Sequence, residues 1–138
     1  MRYTVQVPMR WSDMDAYGHV NNVVFLQYFE MARVDLFFER ASLEERSGLR
    51  RGTVVAAHEV RYKRPVVYSA RPLDVQIWVS DIRAAAFTCH YELFDHERLA
   101  VTGSTLLAPF DFSLDRPRRL TTEEKEFLAR WTDEPPPA

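Results

Sequence analysis

The hydrophobic period of this chain changes once, at Gly52, and does not change back until the last helix-like stretch. Before Gly52, Phe25, Tyr28, Phe29, Ala32 and Leu36 recur at helical spacing, which predicts one long helix from about Asn22 to Arg40. Ahead of it, Tyr3, Val5, Val7 and Met9 alternate with polar residues as far as Arg10, a half-buried strand that Pro8 places at an edge or an end. After Gly52 the period is two. Thr53 to Lys63 reads as a strand ended by Arg64-Pro65, and Leu73 to Ser80 as the next. Phe87 to Leu93 and Leu99 to Phe110 follow, joined by a short turn at Asp95-His96-Glu97-Arg98. A second helix is expected over Thr121 to Trp131, opened by Thr121 and Glu124 at capping-box spacing.

One apolar helix with five strands predicts an α+β arrangement in which an antiparallel sheet curls around the helix. So little helix leaves an edge or a face of the sheet uncovered, and a second copy of the chain is an economical cover. A homodimer is therefore expected. The stretch from Ala41 to Gly52 is polar and reads as a short helical turn and loop. At 138 residues the chain is expected to be a single domain over residues 1–133, with Pro135-Pro136-Pro137 in a disordered tail over 134–138.

Composition narrows function mainly by exclusion. A net charge of −2 gives no general reason to bind nucleic acid or an anionic membrane. The single cysteine, Cys89, fits a reducing cytoplasm and lies on an apolar strand face with Phe87 and Tyr91, which makes it a core residue. No signal-like core or membrane-length apolar run is present, so a cytoplasmic location is expected.

Chemistry is concentrated between strand and helix. Asp13, Asp15, Gly18, His19, Asn21 and Asn22 fall within ten residues, immediately before the long helix. Asn21 is an N-cap candidate, and the free amides of the first helical turn point back toward this loop. Counted as a calcium loop from Asp13, position twelve is Val24, where a bidentate Glu is required, so no metal is expected. No Gly-x-Ser-x-Gly elbow surrounds Ser12, and no glycine-rich phosphate cradle exists. What remains is a carboxylate beside a helix N-terminus. It can act as general base toward water or attack an acyl carbon, with helix amides holding the oxyanion. The residues alone leave that open against a plainer role in bracing the turn.

The string Asp13-x-Asp15-x-x-Gly18-His19-Val20-Asn21-Asn22, followed by Phe25, Tyr28, Glu30, Ala32 and Arg33, resembles the signature of hotdog-fold acyl-CoA thioesterases of the 4-hydroxybenzoyl-CoA thioesterase type. Val60-x-Tyr62-x-x-Pro65-Val66 adds to the resemblance, which covers roughly Tyr3 to Phe110. It implies a hotdog fold, a five-stranded antiparallel sheet wrapped around one long central helix, and a homodimer or homotetramer with sites at the interface. It also implies Asp15 as the catalytic carboxylate and the backbone amide of Asn22 as the main carbonyl-polarising group. Tyr17, Gly18, His19, Val20 and Asn21 would line the substrate. His58 could join the site from the partner chain, and Arg83 could meet the carrier's phosphates. No cofactor is implied beyond the coenzyme A of the substrate, with an acyl carrier protein as the alternative carrier.

Two departures from the family pattern stand out. Phe25 replaces a usual Tyr, and the turn Arg83-Ala84-Ala85-Ala86 keeps one cation where relatives place several polar groups. Arg61, Lys63 and Arg64 form a second small basic cluster. A hydratase or dehydratase on the same fold, and a non-catalytic acyl-CoA or acyl-carrier-protein binding module, are the alternatives. Released thiol from a panel of acyl-CoAs separates the three.

Overall fold

A computed structural model describes residues 1–43 and 49–134. Strand β1 (Tyr3–Val7) stops just before Pro8, three residues short of the expected Arg10, and the chain then makes a 3₁₀ turn at Trp11–Asp13. Helix α1 starts as α-helix at Val24–Val34, with Phe25, Tyr28, Phe29 and Ala32 buried. The expected continuation to Arg40 is helical but wider: Asp35–Arg40 form a π-helix, followed by one α-turn at Ala41–Leu43. The polar loop expected after Ala41 falls partly at 44–48, outside the described residues.

The period-two segments are strands β2 (Thr53–Tyr62), β3 (Leu73–Ser80), β4 (Phe87–Asp95) and β5 (Arg98–Asp111). With β1 they form one antiparallel sheet in the order β1-β3-β4-β5-β2, and a two-residue strand, β6 (Arg116–Pro117), pairs with the end of β5. The C-terminal helix is Thr122–Ala129, capped reciprocally by Thr121 and Glu124 as the spacing required. Residues 135–138 of the predicted tail lie outside the described residues. Glu134, its first residue, is placed: its carbonyl accepts the Trp78 indole N–H at 3.1 Å. Among the described residues no helix is long and apolar enough to cross a membrane.

The sheet wraps α1 as expected. Phe29 stacks on Tyr91 of β4 at 4.3 Å between ring centroids, and Phe37 meets Phe87 edge-on at 5.9 Å. Gly103 of β5 lies directly under Phe29, where an added Cβ would come within 2.7 Å of the ring. A side chain there would push the helix off the sheet, so β5 carries glycine at this crossing. Cys89 is fully buried beneath α1, and burial pushes its thiol up to about 12.

Strand β2 is the exception to this coverage. Among the described residues it is bonded on one side only, and seven of its ten residues are exposed. Its helix-facing residues follow α1 in the opposite direction: Tyr62 meets Phe25 at 5.8 Å, and Val60 pairs with Gly103 under Phe29. A bulge between Val55 and Ala57 shifts the alternation, so Val55, opposite Leu107, still faces the helix. A cleft of about 350 Å³ opens there, lined by Arg33, Val34, Phe37, Val55, Leu107 and Phe112 among others.

Candidate active site

The loop between β1 and α1 folds as a closed hairpin. Met14 and Val20 form an antiparallel bridge, Asp15 N–H donates to the His19 carbonyl at 3.0 Å, and Asn21 N–H donates to the Asp13 carbonyl at 3.0 Å. Gly18 supplies the left-handed turn residue, with φ of +75°. Val20 N–H donates to the Val66 carbonyl at 2.8 Å, tying the loop to the segment after β2. The bridge holds the two ends of the loop about one strand spacing apart, about 5 Å. In that register Asp15 faces His19 and Asp13 faces Asn21, one turn before α1.

The two acids have different surroundings. Asp13 is 4% exposed, and its Oδ2 accepts the Arg10 amide at 2.9 Å and the Tyr28 hydroxyl at 2.7 Å. Its Oδ1 faces the Arg10 guanidinium at 3.1 Å. Burial pushes the Asp13 carboxyl up, but the Arg10 amide, the Tyr28 hydroxyl and the Arg10 guanidinium outweigh it and hold it below its ordinary value. Every lone pair aimed at protein is taken, which suits a brace. Asp15 is half-buried; its Oδ1 accepts the Tyr17 amide at 2.9 Å, and among the described residues nothing is bonded to Oδ2. One carboxylate oxygen is thus held and the other is open.

Asp13→Asn is expected to cost about 2 kcal/mol of stability, since the Arg10 contacts lose their charge and one acceptor is lost. A carboxyl with a depressed folded value stabilises fully above its unfolded value of 3.8 and loses that contribution as pH falls through the lower folded value. Thermal unfolding should therefore separate the parent from the Asn variant at neutral pH and bring them together as pH falls through the lowered folded value. An unchanged neutral melting temperature would remove the bracing role.

At the start of α1, Asn21 Oδ1 accepts the Val23 amide at 3.0 Å, so Asn21 caps the turn although the α-helix proper begins three residues later, at Val24. Asn22 is exposed and its carbonyl accepts the Tyr62 hydroxyl at 2.8 Å; among the described residues nothing accepts its N–H. Tyr17, Gly18 and His19 are exposed on the same hairpin, while Val20 is buried and anchors it. His19 contributes its carbonyl to the loop.

The remaining candidates lie elsewhere in one chain. His58 sits mid-strand on the exposed edge β2, its Nδ1 2.9 Å from Thr105 Oγ1. Arg83 is exposed in the β3–β4 hairpin, at the far end of the sheet from the loop, separated by the length of β3, about 25 Å. Lys63 and Arg64 follow Tyr62 and lie at the loop's end; Arg61 pairs with Glu59 at 3.0 Å on the exposed edge. Sequence reasoning missed Tyr28 as the partner of Asp13, and the Glu30–Arg33 spacing left open whether Arg33 pairs on the surface or anchors the helix to a neighbour. The structure buries Arg33 and bonds it to the Tyr91 hydroxyl at 3.0 Å. Its position four residues after Phe29, on the apolar stripe, was the available signal.

Comparison with known proteins places the fold in a family. The family model described as thioesterase-like superfamily matches residues 9–132. The chain is 30% identical over 125 residues to the uncharacterized protein YsmA of Bacillus subtilis (strain 168), covering 89% of this chain and 82% of YsmA. Among solved structures, a thioesterase of Thermus thermophilus in complex with coenzyme A and Zn is 30% identical, with a TM-score of 0.78 over 96% of this chain and 95% of that one. A protein of Bacillus stearothermophilus described as a predicted thioesterase has a TM-score of 0.83 at 22% identity, over 99% of this chain and 100% of that one.

Proposed function

The chain belongs to the thioesterase-like superfamily, as a thioester hydrolase of hotdog fold, and from that premise we propose that it cleaves acyl-CoA to free acid and thiol with Asp15 as general base or nucleophile. The observation that carries this is the open Oδ2 of Asp15 in the hairpin that leads into α1, where the Asn22 amide has no acceptor among the described residues. In this reading Asp15 activates water or attacks the thioester carbon, and the Asn22 N–H stabilises the oxyanion. Tyr17, Gly18, His19, Val20 and Asn21 shape the entrance. No metal takes part.

The site is completed by a second copy. Joining two β2 edges about a twofold axis makes the second β2 run opposite to the first. Because α1 runs opposite to β2 in each chain, the cleft beside Phe37 and Val55 of one copy then faces the Asp15 loop of the other. That cleft, about 350 Å³ and largely apolar, is the place for the acyl group. The same reversal brings the partner's β3–β4 hairpin, with its Arg83, to the end of the dimer where Asp15, Lys63 and Arg64 lie. These cations face the phosphates of coenzyme A, which also favours coenzyme A over an acyl carrier protein as carrier. Support for the carrier comes from the coenzyme A bound to the Thermus thermophilus thioesterase.

The test is a panel of acyl-CoAs with free thiol followed over time, with and without a chelator. Thiol release that survives chelation supports the reading; acyl-CoA binding without release points to the binding module instead. Release of water across a carbon–carbon bond, with the thioester intact, would mark a dehydratase. Sedimentation is expected to give a dimer or tetramer at micromolar concentration. A monomer alone would break the shared site.

A further inference from the structure

One buried polar cluster is left unused by the site described above. Arg33 projects from the apolar stripe of α1, with its side chain 11% exposed. The carboxylate of Glu30 lies 3.9 Å away on a side chain that is 69% exposed, too far for a hydrogen bond. The guanidinium donates instead to the Tyr91 hydroxyl at 3.0 Å. Tyr91 is 1% exposed and donates to Thr105 Oγ1 at 2.9 Å; Thr105 is 0% exposed and lies 2.9 Å from His58 Nδ1. Four side chains from α1, β4, β5 and β2 are therefore linked in one line from the core to the exposed sheet edge.

Counting protons gives the line a direction. A guanidinium only donates, so the Tyr91 oxygen accepts from it. The single Tyr91 proton then goes to Thr105, a better acceptor than the neighbouring Cys89 sulfur. Thr105 has one proton of its own, and the remaining partner is His58 Nδ1. An Nδ1 that accepts is unprotonated, so the ring proton sits on Nε2, on the exposed side.

We propose that Arg33, Tyr91 and Thr105 form a one-way relay that fixes His58 with its proton on Nε2, as a neutral hydrogen-bond donor to an acceptor oxygen of the bound acyl thioester. The donor role rests on the thioesterase reading; the relay does not. The charges around His58 support a neutral ring. Burial and the Arg33 charge push its imidazole below its ordinary value, against a smaller opposing pull from the exposed Glu30. From β5 the ring meets the uncharged Thr105, and the Tyr91 and Cys89 groups of β4 behind it are both pushed upward by burial, hence neutral across the working range. A second neutral possibility, the proton on Nδ1, would leave the Thr105 proton without an acceptor in a fully buried position.

Nitrogen-15 spectra of the intact protein at pH 7.5 are the direct test. His58 should show an unprotonated Nδ1 and a protonated Nε2, and Thr105→Val should move both signals toward the average of mixed tautomers. A protonated Nδ1 in the parent, or no change in Thr105→Val, overturns the relay. The donor role is read from turnover. His58→Ala should lower kcat/KM about 10-fold, the worth of one hydrogen bond, mainly through KM. His58→Gln, whose carboxamide keeps an N–H, should recover most of that loss. Equal activity of parent and His58→Ala on a hydrolysed acyl-CoA overturns the donor role alone. If no acyl-CoA is hydrolysed, the thioesterase reading falls and takes the donor role with it, while the spectra still decide the relay.

Discussion

Asp15→Asn is expected to leave a folded oligomer whose kcat/KM on an accepted acyl-CoA is lower by about 10²–10⁴-fold, the usual loss for a positioned general base. A larger loss would fit a covalent nucleophile. Asn keeps the side chain's size and can still accept the Tyr17 amide that holds Oδ1 at 2.9 Å. It cannot take a proton at neutral pH, nor attack a thioester readily. The fold should therefore report little and the chemistry much. Asp13→Asn is the internal control, since its carboxylate is enclosed by Arg10 and Tyr28 and its loss should register in melting temperature. If Asp13→Asn is inactive while Asp15→Asn turns over, the two roles are exchanged. If both remain active, this hairpin is not the catalytic centre.

The largest stability loss is expected at the other end of the chain. Glu124 is 0% exposed and holds the Arg118 guanidinium bidentately, at 2.7 and 2.9 Å. Arg118 also donates to the carbonyls of Gly52 and Phe110, so the pair ties the C-terminal helix to the start of β2 and the end of β5. Glu124 in addition accepts the Thr121 amide at 2.8 Å, closing the capping box. Glu124→Gln removes the charge and leaves a largely buried guanidinium without its counter-ion. Breaking such a pair costs about 3 kcal/mol, a fall in melting temperature of about 10 °C at this size.

The pH dependence follows from the same contacts. Burial pushes the Glu124 carboxyl up, but the Arg118 guanidinium and the Thr121 amide more than offset it and leave it below its ordinary value of 4.5. Its stabilisation is therefore complete above pH 4.5 and fades as pH falls through the lower folded value. Calorimetry of the parent and of Glu124→Gln should show the gap at pH 7 narrowing toward acid. A gap that is small at pH 7, or constant with pH, would mean that the pair is not what holds this helix.

Local pattern was enough for much of this molecule. The change of period at Gly52 separates helix from sheet, because side-chain direction repeats every 3.6 residues in one and every 2 in the other. Thr121 and Glu124 announce their cap because capping is a contact between residues three apart. The hairpin from Asp13 to Asn22 is likewise short-range: Gly18 supplies the one left-handed residue it needs, and Asn21 caps the turn that follows. The clustering of acids, glycine and asparagines before an apolar helix, together with the family resemblance, was therefore legible without coordinates.

Tertiary structure decided what depends on partners distant in sequence. Asp13 and Asp15 look alike in the chain, and they differ because Tyr28, fifteen residues on, reaches the first and nothing from the described chain reaches Oδ2 of the second. The α-helix widens into a π-helix over Asp35–Arg40, a change that helical periodicity cannot resolve, since both forms keep an apolar face toward the sheet. Spacing allows Arg33 to pair with Glu30 on the surface or to anchor the helix to a neighbour, and β4 decides it by placing the Tyr91 hydroxyl 3.0 Å from the guanidinium. The strand order β1-β3-β4-β5-β2 leaves β2 at the edge although it precedes three of its sheet mates in sequence. Alternation marks a strand but carries no information about its neighbours. Strand order is set by which apolar faces close around α1, and that choice leaves His58 on an exposed edge.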